Sequence, residues 1–167
     1  MIFVHDVKTL FNYNIVYKIL IVFLLILADI FSKYYVFKLI DLNNFIELAY
    51  FLDLTHIHNF GISFGLFSGK VHPWIFILLG ILITILIFLM MMKSEKTIER
   101  WGFTIIISGA ISNIIDRSIN GYVIDFIYIH YNEFYWPAFN FADIYITVGI
   151  LLILFQMLID LSIRLSK

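Results

Sequence analysis

The chain contains no cysteine. Without a thiol it can form no disulfide, no cysteine-ligated metal centre, no thiolate nucleophile and no palmitoyl anchor. Any hydrolysis must run on Ser, His, Asp or Glu, or on a metal held by histidines and carboxylates. Charge is scarce too: 11 Lys and Arg stand against 12 Asp and Glu in 167 residues. That balance gives neither the basic surplus of a nucleic-acid-binding protein nor an acidic tail. With only 2 prolines and 8 glycines, no Pro/Gly-rich linker divides the chain. No internal repeat is visible, so residues 1–167 read as a single polytopic membrane domain.

What the chain has in abundance is hydrocarbon. Hydrophobic residues make up 62% of it, whereas a soluble domain is about 45–50% apolar. This is the composition of an integral membrane protein. A spanning helix needs ~20 mostly apolar residues, and four segments meet that need: about Ile15–Phe37, Trp74–Met92, Ile98–Ile119 and Phe141–Ile163. The first apolar stretch outruns a signal-peptide core and has no small-residue cleavage site after it, so it is expected to be a retained span. Four spans place both termini on one side. Lys8, Lys18, Lys93, Lys96, Arg100, Arg164 and Lys167 favour the cytoplasm for that side.

The two outer connections hold the remaining signals. In the first, alternation around Leu52, Leu54, His56 and His58 predicts short strands, and Gly61, Gly65 and Gly69 predict bends. The second, about residues 120–139, is rich in aromatics, as suits a segment lying in the membrane interface.

Carboxylates are costly in hydrocarbon, roughly 2.5–3.5 kcal/mol each at a helix centre. Asp125 lies in the second outer connection, after the end of the third span, and Asp143 at the start of the fourth. That connection leaves and returns at one membrane face, so the two can meet. Two adjoining carboxyls share a proton, and one can take a proton from water while the other donates one to a carbonyl. Alternatively, each caps a helix or pairs with Arg117 or Lys33. Asn113, Asp116 and Arg117 share one helical face, and a structural role is favoured for Asp116 and Arg117 in holding the loop that carries Asp125. Asp29 and Lys33 stand in the favourable i, i+4 order, either as a self-neutralising pair near the interface or as part of the site. Lys38 is expected to snorkel. His56 and His58 would share a strand face, but no third ligand stands at metal spacing. Gly61–Gly65 spells G-x-S-x-G, yet the α/β sheet that makes Ser63 a nucleophile cannot be built from this chain. No metal or other cofactor is expected.

Five blocks, in order, resemble those of bacterial lipoprotein signal peptidase (signal peptidase II), an aspartic peptidase family. They are Asp29 with Lys33, the loop N-F-G-I-S-F from Asn59, G-A-I-S-N-I-I-D-R from Gly109, V-I-D-F from Val123, and F-N-F-A-D from Phe139. The resemblance covers most of the chain. It implies an all-α integral membrane fold of four transmembrane helices, with a small periplasmic β-cradle and an interfacial helix. It implies Asp125 and Asp143 as the catalytic pair. It also implies supporting roles for Asn59, Gly109, Asn113, Asp116, Arg117, Asn140 and Ala142. The activity implied is removal of the signal peptide from a diacylglyceryl-modified prolipoprotein, cut before the lipidated cysteine. The implied location is the bacterial inner membrane, with the site at the outer face. Beyond that substrate and membrane lipids no partner is expected, nucleic acid included, and a monomer suffices. Ser108 and Ser112 stand where the family usually has glycine, and Ser63 where it more often has alanine. Two other classes remain open. A small proton-coupled transporter would keep its acids near the midplane and show inverted repeats. A structural subunit would tolerate loss of the acids.

Overall fold

A computed structural model describes residues 3–61 and 71–166, with side chains from Val16 onward. The order is α1 (Phe3–Leu39), β1 (Phe45–Ala49), β2 (Leu52–Asn59), α2 (Pro73–Lys93), α3 (Thr97–Asn120), β3 (Val123–Tyr131), β4 (Phe134–Tyr135) and α4 (Phe141–Leu165). A helix stands at each expected span, although α1 begins well before Ile15. By length and apolarity, three helices among the described residues can cross a membrane: α1 from Val16, α2 and α4.

α3 falls short of that apolarity, and its position explains why. It packs against α1, α2 and α4 at the centre of the bundle. Its buried face includes Gly102, Thr104, Ser108, Gly109, Ser112 and Asp116. Polar groups that would be costly against lipid find protein partners there. α2 is the reverse case: only Phe76 and Ile77 are fully buried, most of its remaining residues are exposed, and that exposed surface is almost wholly apolar, as a lipid-facing helix requires.

Small residues bring α3 and α4 into backbone contact. A Cβ on Gly109 would strike the Ala142 carbonyl, and a Cβ on Gly149 would lie 2.5 Å from both Gly102 O and Ile106 Cγ1. Ser108 and Ser112, fully buried, are small enough to keep this approach.

At one end of the bundle the strands form an antiparallel sheet in the order β1-β2-β3-β4. The expected strand structure around Leu52–His58 is β2, with β1 paired to it from the residues just before. Residues 120–139, expected as an interfacial segment, instead extend the sheet through β3 and β4. Alternating β-branched and aromatic residues in Val123–Tyr131 favour that pleated form. Gly121 ends α3 in the left-handed region, at φ 79°, and turns the chain into β3. Ile124 and Phe126 pack on Val36 and Ile40 at the end of α1, which clamps the sheet to the helices. No separate interfacial helix occurs among the described residues. Ser63, Gly65 and Gly69 lie outside them.

Gly149→Ala should push α3 and α4 apart at a cost of roughly 1–3 kcal/mol, read as a lower unfolding midpoint in detergent. Gly80→Ala, whose new Cβ would meet only the Ile114 side chain at 3.0 Å, should cost less. The reverse ranking would contradict tight α3–α4 contact.

Candidate active site

The site forms where the sheet meets the first turn of α4. Backbone pairing fixes the register there. Ile127 and Phe139 exchange hydrogen bonds, with Ile127 N to Phe139 O at 2.8 Å and Phe139 N to Ile127 O at 3.0 Å. This bridge sets Asn140, the residue after Phe139, beside Asp125. Asn140 then caps α4: its Oδ1 accepts from Asp143 N at 3.0 Å, and Asp143 Oδ2 accepts from Asn140 N at 3.2 Å. That reciprocal pair is a capping box, which satisfies two otherwise orphaned backbone donors. Asn140 Nδ2 meanwhile donates to Asp125 Oδ1 at 2.7 Å. One buried amide therefore touches both carboxyl-bearing residues.

Each carboxyl has a second amide donor. Asn59 lies two residues beyond Ile57, the ladder partner of Asp125, so it is a diagonal neighbour on the same sheet face. Its Nδ2 donates to Asp125 Oδ2 at 2.9 Å. Asn113 Nδ2 donates to Asp143 Oδ1 at 3.0 Å. Neither Asp125 nor Asp143 forms an ion pair among the described residues. Thus of the alternatives open from sequence, Asp143 does take part in a helix cap, while pairing with Lys33 or Arg117 is not found.

Burial, foremost, and the neighbouring Asp143 carboxylate push the Asp125 carboxyl up to about 7. The Asn59 and Asn140 hydrogen bonds and the Lys33 charge oppose that rise without cancelling it. Both carboxyls open on a cavity of about 530 Å³, which Asn59, Asn113, Arg117 and Asn140 also line, with Trp136, Pro137 and Ile144 among its apolar walls. Trp136 and Pro137 belong to the second outer connection. Nothing in their spacing ties them to a cavity made by β3 and α4.

Behind the site lies a buried ionic cluster. Lys33 Nζ is 2.7 Å from Asp29 Oδ2 and 3.4 Å from Asp116 Oδ2, and donates to Asn113 Oδ1 at 2.9 Å. Asp29 also accepts from Ser112 Oγ at 2.6 Å and from the Ala142 backbone N at 2.9 Å. The i, i+4 pair is therefore buried among α1, α3 and α4, not spread on the interface. Asp116 accepts from Ile124 N at 2.9 Å and Asn120 Nδ2 at 2.6 Å, so it holds the start of the strand that bears Asp125. Arg117 donates to Gly61 O at 2.7 Å and lies 5.7 Å over the Phe76 ring, while its Nε is buried without a partner among the described residues. Ser112 is the supporting residue that sequence reasoning overlooked. Its signal was its place four residues before Asp116 on one helical face.

His56 and His58 do share a face. Ile40 O accepts from His56 Nδ1 at 2.8 Å, which leaves His56 Nε2 to accept from His58 Nε2 at 3.0 Å. Lys38 is exposed at the end of α1.

The family described as "Signal peptidase (SPase) II" matches residues 21–159. The chain belongs to the signal peptidase II family. A lipoprotein signal peptidase of Thermodesulfovibrio yellowstonii is 39% identical over 135 residues, 81% of this chain and 90% of that one. One of Bartonella henselae is 43% identical over 131 residues, covering 77% and 80%. A solved bacterial membrane enzyme superposes with a TM-score of 0.81 at 29% identity, over 90% of this chain and 92% of that chain. A peptidase family, apolar helices and a small antiparallel sheet together make this a membrane hydrolase.

Two outcomes follow from the buried charges. The unfolded chain holds a proton on Asp125 only below about 4, the folded chain up to about 7. The folded state therefore binds the extra proton between those values, and this group's contribution to stability falls as pH rises through that window. Asp125→Asn should gain thermal stability relative to wild type between pH 5 and pH 8; a constant difference would contradict the raised value. Lys33→Met, which strands Asp29 and Asp116, should cost roughly 3–5 kcal/mol, measured by thermal unfolding.

Proposed function

We propose that this chain is an aspartic endopeptidase that removes the signal peptide from diacylglyceryl-modified prolipoproteins, cutting on the N-terminal side of the lipidated cysteine. The observation that carries the reading is the pair of carboxyls on one cavity, joined through Asn140 and held by amides instead of cations. Amide donors stabilise a carboxylate but supply no positive charge to drive off a shared proton. With Asp125 protonated near neutral pH, Asp143 is the base. It takes a proton from a water as that water attacks the scissile carbonyl carbon, while Asp125 protonates the carbonyl oxygen. The tetrahedral gem-diol then collapses. The Asp143 carboxyl hands its proton to the leaving amine, Asp125 recovers its own from a diol hydroxyl, and the C–N bond breaks. The step consumes one water and needs no metal or cofactor.

Asn113 and Asn140 hold the carboxyls in place, and Asn59 steadies Asp125 and the Gly61 turn. Arg117 lines the cavity and is placed to meet the substrate backbone. Gly109 and Ala142 have roles of size: they let α4 begin against α3, so that Asp29 can reach the Ala142 N–H.

α3 completes a set of four transmembrane helices, screened from lipid by its neighbours on its polar side. The sheet then lies at the outer face of the bacterial inner membrane, with both termini cytoplasmic and the basic residues of the α2–α3 turn inside. The signal helix and diacylglyceryl group would enter from the bilayer past the apolar walls of the cavity. A monomer contains every group this chemistry uses.

Purified protein in detergent should cleave a diacylglyceryl-modified prolipoprotein peptide and spare its unlipidated twin. Asp125→Asn and Asp143→Asn should each remain folded and lose turnover by at least about 10³-fold, the scale expected when an essential acid or base is removed. Near-normal cleavage by either variant removes that residue from the pair. Turnover of the wild type should fall as pH rises past about 7, where Asp125 loses its proton.

A further inference from the structure

The end of the bundle away from the sheet holds a second polar cluster that the peptidase chemistry does not use. It forms where the start of the apolar part of α1 meets the first turn of α3. Lys18 Nζ lies 5.3 Å from the centroid of the Trp101 ring. Arg100 precedes Trp101, and its Nε is buried with no hydrogen-bond partner among the described residues. The two cations repel each other across this gap. Arg100 stands in the first turn of α3, where the positive end of the helix dipole adds to both.

Two of the acids at this end are already engaged, and the third, exposed Glu95, pairs with neither cation. Glu99 Oε2 accepts from Ser94 Oγ at 2.5 Å. Asp160 Oδ1 accepts from Lys96 Nζ and from Gln156 Nε2, each at 3.0 Å, and Arg164 adds a further positive charge beside it. Among the described residues no carboxylate pairs with Lys18 or Arg100. Two like charges thus lie beside a half-buried indole, at the edge of the membrane-spanning surface, without a counter-charge among the described residues.

We propose that this cluster binds the phosphate headgroup of an anionic phospholipid. A phosphodiester between Lys18 and Arg100 replaces their repulsion with charge-assisted hydrogen bonds, and the guanidinium fork suits two phosphate oxygens. Trp101 lies where indoles collect, at headgroup depth, and the apolar flank of α1 offers acyl chains a surface. The lipid would bridge α1 and α3 at the end opposite the active site. From Arg100 to Asp116 the rise along α3 is about 24 Å, so the headgroup touches none of the catalytic residues. The source of the phosphate is a lipid because the site opens at the bilayer edge, where such headgroups attract basic residues.

The test uses the full chain in neutral detergent. Phosphatidylglycerol, phosphatidylcholine or millimolar inorganic phosphate is added, and binding is read by native mass spectrometry and by the unfolding midpoint. Phosphatidylglycerol should bind about tenfold or more tightly than phosphatidylcholine and raise the midpoint, whereas inorganic phosphate should do neither. The Lys18→Gln/Arg100→Gln double variant should lose the preference and keep its basal peptidase activity. Arg100→Lys, which keeps the charge but not the fork, should weaken binding severalfold and serves if the double variant does not fold. Lys93→Gln, an exposed lysine of the same end, should change nothing. Equal binding of the two lipids, or a preference that survives in the variants, overturns the proposal. Equal stabilisation by inorganic phosphate also overturns it, marking a small-anion site instead.

Discussion

The Asp29 carboxylate is the group on which the rest of this architecture depends. It is fully buried, and its two oxygens receive Lys33 from its own helix, Ser112 from α3 and the Ala142 N–H from α4. A buried carboxylate with fewer donors would be strongly destabilising. The three helices must therefore hold one relative placement for it to be satisfied. That placement sets the first turn of α4, and with it Asn140 and Asp143. Gly109 and Gly149 are the steric counterpart of the same constraint, because a side chain at either would lift α4 away from α3.

From this anchor the network runs outward without a break. Lys33 pairs with both Asp29 and Asp116 and orders Asn113. Asn113 then holds Asp143, while Asp116 holds the start of β3. The positive charge is kept one residue removed from the two carboxyls that face the cavity. Direct contact with a cation would hold both ionised; amides orient them without adding that charge. Separating the charge that stabilises the fold from the amides that dress the site lets one small cluster serve both ends.

The same logic explains the inverted distribution of polarity. α2 presents apolar side chains outward and few inward, whereas α3 keeps Thr104, Ser108, Ser112 and Asp116 inside. Lipid offers no hydrogen bonds, so polar groups are confined to the protein interior or to the ends of the bundle. The sheet at one end and the Lys18–Arg100 cluster at the other follow that rule.

Much of this was legible in the sequence. Apolar runs of spanning length located the four helices, and alternation announced the strands around Leu52–His58, because both signals are local and periodic. The spacing of Asn113, Asp116 and Arg117 gave a shared helical face, and the motif blocks marked the two carboxyls, the three asparagines and the arginine that line the cavity, but not its apolar walls. Partnership was not legible. Spacing cannot reveal that Asn140 touches both Asp125 and its own helix start, or that Asp29 caps α4 across 113 residues. Ser112 looked like a mere substitute for glycine until its hydroxyl met Asp29. The second outer connection read as interfacial because its aromatics suit a membrane surface and a pleated sheet alike; pairing with β2 decided for the sheet. Composition and periodicity alone determined that this is a membrane protein with its acids near helix ends. Tertiary packing alone decided which acids are neutralised and which keep a proton, since that depends on donors and charges brought together from distant parts of the chain.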